Sequence, residues 1–263
     1  MRILDAHCHI YPEKIAARAV ESVGSFYNLK MHGDGTVQTL LENGTKAGIT
    51  HYLVHSVSTT PHQVSSINSF IAGQASASNG KMTGFGTLHP DSPDMEDDLA
   101  HLLALGLKGV KLHPDVQGFA IDSEKSVAMC RLFAGRIPLL VHAGDPRYEF
   151  SNPAQIYRLM EALPELTVIA AHFGGWNNWK SAVEILPGIP NLYVDTSSSF
   201  YAITPAFACK MIEAYGPEHV LFGSDYPMWP VAEELRYLDG LELDEREKQM
   251  ILWENGARLL QLS

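Results

Sequence analysis

Asp5-Ala6-His7-Cys8-His9 ends the first apolar run of the chain, Ile3–His7, and the architecture turns on how it is read. Side chains two apart on a strand share a face, so His7 and His9 point together while Ala6 and Cys8 pack outward. Two neutral imidazoles at that spacing suit a borderline divalent metal. An open, doubly wound sheet would more often follow its first strand with a glycine-rich phosphate loop. Here the strand runs into His-Cys-His instead, which favours a closed barrel.

Outward from that run, short apolar stretches alternate with longer amphipathic ones. Ile49–His55, Met82–His89, Leu107–His113, Ile137–His142, Leu166–His172, Leu192–Asp195 and Val220–Asp225 follow Ile3–His7, giving eight strand-like segments. Several are apolar on both parities, as parallel strands covered on both faces should be. Thr60-Pro61, Asn152-Pro153 and Thr204-Pro205 each set a capping side chain before a proline suited to a first helical turn. Gly106, Gly135 and Gly216 stand where a left-handed glycine would stop a helix. The tail from Asp244 to Leu260 predicts one or two closing helices. No linker interrupts the series, so the expectation is one (β/α)8 TIM-barrel domain over residues 1–263, with its site at the C-terminal strand ends.

That is where the histidines gather. His7, His9, His55, His89, His113, His142 and His172 all sit at or just beyond strand ends, seven of the twelve in the chain. Chance would have spread them over helices and loops as well.

Composition narrows the partners. A formal charge of −11 argues against nucleic acid or an anionic membrane, both of which need a basic footprint. It leaves room for a small anionic substrate, since one cation in a cleft reverses the local field. Cys8, Cys130 and Cys209 are odd in number and lack CxxC spacing, which suits a reducing compartment. Met1-Arg2-Ile3-Leu4-Asp5 meets an acid before a signal-like apolar stretch can develop, and no segment approaches the roughly 20 apolar residues of a membrane span. The expected location is the cytoplasm.

Three further strand ends carry distinctive words: VHAGD at 141–145, AHFGG at 171–175 and FGSDYP at 222–227, with Glu254-Asn255-Gly256-Ala257-Arg258-Leu259-Leu260 near the end. With the HxH motif, these resemble the amidohydrolase superfamily. The detail looks like its amidohydrolase-related branch, which includes aminocarboxymuconate-semialdehyde decarboxylase and metal-dependent hydrolases. The resemblance implies that His7, His9, His142 and Asp225 hold one divalent metal, usually zinc and sometimes manganese. It also implies that His172 faces the metal-bound water or the substrate. A divalent ion lowers the pKa of bound water, Asp225 is suited to take its proton, and His172 to stabilise oxyanion charge.

Lys111 and His113 share a face of the fourth strand and are expected to line the pocket. The alternative is a carboxylated Lys111 bridging two metals, as in binuclear relatives. His55 and His89 are expected to shape the pocket rather than ligate. Arg147, five residues after His142, is placed to clamp a substrate carboxylate, with a surface ion pair as the alternative. Trp176, Tyr201 and Trp229 are candidates for an aromatic wall or for packing. The stretch Gly24–Gly35 reads as a lid or a partner contact.

The leading expectation is hydrolysis of an ester, lactone or amide of a small organic acid. Non-oxidative decarboxylation of an unsaturated or aromatic acid is the alternative, since the same ligand set serves both. A non-catalytic metal scaffold is disfavoured by the reactive His172 and Lys111. A metal-dependent deoxyribonuclease is disfavoured by Lys111 and His113, where a carboxylate is wanted. A homodimer is expected only by analogy with the branch.

Overall fold

A computed structural model describes residues 2–262. Its eight strands are β1 (Leu4–His9), β2 (His51–His55), β3 (Met82–Gly84), β4 (Val110–Leu112), β5 (Leu139–Val141), β6 (Val168–Ala170), β7 (Leu192–Asp195) and β8 (Val220–Leu221). They pair in chain order, all parallel, in two runs, β1-β2-β3 and β4 through β8. Isolated parallel bridges join the runs at both seams, Gly86 to Val110 and Cys8 to Tyr226. At the first seam Lys111 N–H donates to Gly86 O at 2.6 Å; at the second, His9 N–H donates to Tyr226 O at 2.7 Å. The fold is the (β/α)8 barrel.

Helices wrap it in the expected places. α1 (Glu13–Tyr27) and α2 (Val37–Ala47) both follow β1. Asn152 and Thr204 do cap helices, Pro153–Ala162 and Pro205–Tyr215. Thr60-Pro61 instead opens a single 3-10 turn that leads into the helix Val64–Ala77. The tail is helical from Glu245 to Leu259, with a π-helical turn at Met250–Glu254.

Two apolar layers follow from the strand alternation. The larger, between barrel and helices, takes Tyr52, Val54, Leu139, Val141, Val168, Val194 and Val220. The smaller fills the barrel interior with Leu4, Leu53, Phe85, Leu140, Ile169 and Leu221. Cys8 packs outward as expected, but Ala6 joins the inner group. The register of β1 against β2 shifts between Asp5 and Cys8, and such a bulge re-phases the side chains beyond it.

Most strands stop short of their expected ends: β4, β5, β6 and β8 end one to four residues before His113, His142, His172 and Asp225. Those four residues lie past the ladder, where the backbone is free to turn side chains into the barrel mouth.

Candidate metal centre

The floor of the mouth is built from β1 and the end of β8. His7 Nε2 and His9 Nε2 are 3.3 Å apart, and Asp225 Oδ1 lies 3.4 Å from the first and 3.5 Å from the second. A tetrahedral ion with bonds of about 2.0–2.1 Å has ligand-to-ligand edges of about 3.3–3.4 Å, so this triangle has the dimensions of one face of such a site. Asp195, at the end of β7, accepts the His7 Nδ1 proton at 2.8 Å. That fixes the tautomer which leaves the Nε2 lone pair facing Asp225, the arrangement usual for metal-binding histidines. His55, wholly buried against His7 and His9, has no hydrogen-bond partner on either ring nitrogen, so it is a further available donor. The donor set fits a divalent ion.

Lys111 is also wholly buried, its Nζ 3.1 Å from His7 Nε2, and is not among the residues that line the cleft. His89 stands apart: its Nδ1 accepts from Asp91 N–H and its ring faces Phe119.

His172 and Asp225 share a backbone peculiarity. Both have positive φ, 61° and 57°, as do their neighbours Phe173 (51°) and Ser198 (46°). Non-glycine residues in this region cost of order 1 kcal/mol or more each, and persist where the surroundings over-determine them. Here they are held firmly. His172 N–H donates to Asp195 Oδ1 at 3.0 Å, and Ser198 Oγ donates to Asp225 Oδ2 at 2.5 Å. Asp195 thus braces both His7 and His172.

His142 reaches the floor through His172. Its Nδ1 lies 3.0 Å from His172 Nε2, and its Nε2 lies 2.9 Å from Gly144 O. At the far end His172 Nδ1 lies 3.0 Å from Ser197 O. Ser197 O also accepts from Ser199 Oγ, and Ser197 Oγ lies 2.9 Å from His172 Nδ1, so a neutral His172 can carry its proton on Nε2 and donate it to His142 Nδ1. Both nitrogens of His142 are engaged in this arrangement, and its ring must turn to offer a lone pair to an ion. Gly144 permits the tight crossing beside it: with φ of 85°, a Cβ there would come within 2.3 Å of Trp176 N.

The walls form a cleft lined by His9, His113, His142, His172, Trp176 and Asp225 from the candidate residues. Val23, Met31, Val57, Val116 and Met228 supply its apolar surface. Tyr27, at the end of α1, also lines it, as does Met31 beyond that helix, so part of Gly24–Gly35 forms its wall. On this wall His113, Asp115 and His142 bring their donor atoms together as a second group. Arg147 is not brought into the cleft. Its guanidinium pairs with buried Asp145 at 2.7 Å, and its Nη1 donates to Phe26 O at 2.7 Å. Of the alternatives open for it, the ion pair is the one formed. Tyr201 and Trp229 stack on each other at 4.6 Å outside this lining.

Burial sets the charge state of the centre. It pushes His7, His9, His55, His113 and His142 well below the usual histidine range, and His172 to about 4, leaving neutral imidazoles. It lowers Lys111 to about 8 and raises Asp225 to about 6. Neutral rings are the form that binds metal.

With this geometry in hand, comparison with known proteins is specific. The sequence model of the amidohydrolase family matches residues 4–262, and the chain belongs to that family. It is accordingly an enzyme of the amidohydrolase superfamily. No curated protein sequence matches it significantly. Among solved structures it is similar to an uncharacterised TIM-barrel protein from Bordetella bronchiseptica, 21% identical with a TM-score of 0.82, covering 100% of this chain and 99% of that one. It is also similar to 5-carboxyvanillate decarboxylase from Sphingomonas paucimobilis, 14% identical with a TM-score of 0.72, over 100% and 99% of the two chains. A third is a dihydroxybenzoic acid decarboxylase from Polaromonas sp. JS666 with bound manganese, 16% identical with a TM-score of 0.74, over 99% and 97%. At these identities the likeness establishes the fold. Among the described residues, no helix is long and apolar enough to cross a membrane.

Proposed function

We propose that the protein is a metal-dependent, non-oxidative decarboxylase of a small aromatic or unsaturated carboxylic acid. The observation that carries this reading is the His7–His9–Asp225 triangle, of tetrahedral-edge dimensions, under an apolar-walled cleft. The similar structures support it, since two are decarboxylases and one of these was solved with manganese. Hydrolysis, the leading expectation from sequence, has less support from them.

In this proposal His7, His9 and Asp225, joined by His142 once its ring turns, hold one divalent cation, zinc or manganese. When bound, the cation supplies Lewis acidity toward substrate oxygens and the positive charge an anion needs in a protein of charge −11. Decarboxylation breaks the bond between the substrate carbon and its carboxylate, leaves the electron pair on that carbon, and requires a proton there. Asp225, whose second carboxylate oxygen accepts from Ser198 Oγ, is the proposed carrier of that proton. Neutral His172 stabilises negative charge as it develops. His113 and Trp176 contact the substrate, and Lys111 supports His7. The activity is assigned to one domain spanning residues 1–263.

Metal analysis should give about one ion per chain, falling strongly in His7→Ala or His9→Ala. Two tightly held ions bridged by a carboxylated Lys111 would replace this reading with a binuclear one. Manganese- or zinc-loaded protein should release carbon dioxide from a panel of hydroxylated benzoic and unsaturated acids. Ester or lactone hydrolysis without carbon dioxide release would return the function to hydrolysis.

A further inference from the structure

Tyr27 takes part in a hydrogen-bond pattern that nothing so far explains. His113 Nδ1 accepts the Val116 backbone N–H at 3.3 Å, so the neutral ring carries its proton on Nε2. That proton is donated to Tyr27 Oη at 2.6 Å. The next candidate partner for the phenol hydrogen is His142 Nε2, 3.5 Å away and already donating to Gly144 O. Tyr27 therefore accepts from His113 and keeps an uncommitted O–H donor in the cleft that it lines.

The phenol is also held in place from outside. Arg147 donates from Nη1 to Phe26 O, 121 residues away in sequence, while Asp145 grips its other edge through Nε and Nη2. Its guanidinium carbon lies 4.8 Å from the Phe26 ring, 5.5 Å from Tyr27, 5.4 Å from Tyr148 and 5.9 Å from Trp176. One cation thus fastens the end of α1 to the loop after β5. Tyr27 and Trp176, 4.9 Å apart edge to face, form one continuous wall.

We infer that Tyr27 is a specificity-determining residue that donates a hydrogen bond to an oxygen substituent beside the substrate carboxylate, and that Arg147 is the positioning residue that sets it. This rests on the decarboxylase reading for the substrate carboxylate, but not for the hydrogen bond itself. An acid bearing a neighbouring hydroxyl or phenolate oxygen meets the free O–H of Tyr27, whereas the same acid without that oxygen leaves the donor unpaired.

The test is binding of salicylate against benzoate to metal-loaded protein by calorimetry, with carbon dioxide release followed separately. Wild type should prefer salicylate by about 2- to 10-fold, the range expected for a hydrogen bond between neutral groups. Tyr27→Phe should abolish that preference by weakening salicylate alone, with benzoate affinity, metal content and melting temperature kept. Arg147→Met should reduce the preference in the same direction, while Arg158→Met, which removes an exposed pair with Asp122, should leave it intact. No preference in wild type, or an undiminished one in Tyr27→Phe, overturns the assignment. A preference lost in Tyr27→Phe, in a protein that releases no carbon dioxide from any acid, supports Tyr27 and removes the decarboxylase reading instead.

Discussion

The barrel interior has two storeys raised on the same strands, and they are chemical opposites. The lower holds Leu4, Leu53, Phe85, Leu140, Ile169 and Leu221; the upper holds His7, His9, His55, Lys111, His142, His172, Asp195 and Asp225. Leu140 and His142 point inward from one strand and its extension, two residues apart. The lower storey contributes stability by removing apolar surface from water, about 1.5–3 kcal/mol for each large side chain. The upper storey buries rings and charges that water would solvate better, and holds His172 and Asp225 in unfavourable backbone conformations. One storey stabilises so that the other can be reactive.

Three measurements bear on that division. The largest effect should come from Asp225→Asn, which keeps volume and one oxygen but removes the charge and the proton carrier. Turnover should drop by about 10²- to 10⁴-fold with little change in folding stability. A metal-loaded variant with near-normal turnover would take Asp225 out of the chemistry.

Next, Ile169→Ala in the lower storey should lower unfolding free energy by about 2–5 kcal/mol in urea titration, with metal stoichiometry kept. If metal is lost while stability is not, the two storeys are not separate in function.

The third measurement concerns pH. His7, His9, His55, His113 and His142 are held well below 6.5 in the fold, so below pH 6.5 the unfolded chain takes up protons that the fold refuses. Metal-free protein should therefore lose stability as pH falls through that value, at up to about 1.4 kcal/mol per pH unit for each histidine. Asp5 and Asp225, held up at about 6 against 3.8, act oppositely and blunt the loss between those values. Melting temperatures of chelator-treated protein from pH 7.5 to 5.5 should show the decline; a flat or rising profile would contradict the burial of neutral rings.

Much of the upper storey could be read before folding. His7 and His9 declare themselves because a strand's period of two is rigid and their residue type has a narrow use. Asp195 does not: an acid closing an apolar run has no local mark, and its partner His7 is 188 residues away. Arg147 illustrates the opposite hazard. Its place after His142 pointed toward the cleft, but Asp145, two residues before it, competes for the same guanidinium at no entropic cost of long-range closure. Ala6 was misplaced because a bulge breaks the alternation without any change in composition. Tyr27 stood inside a stretch read as a lid or a partner contact, and its contact with His113 depends on where α1 ends.

The seam where the barrel closes has a consequence for the order in which the protein comes into being. His9 and Tyr226 join first strand to last through their backbones, and Asp225, the neighbour of Tyr226, faces His9 across that join. An ion bound there would clasp the two ends of the chain's journey around the barrel. During synthesis His7 and His9 leave the ribosome well before Asp225, which follows only when the eighth strand emerges. Capture of an ion by all three would then be a late event, open only to a completed ring.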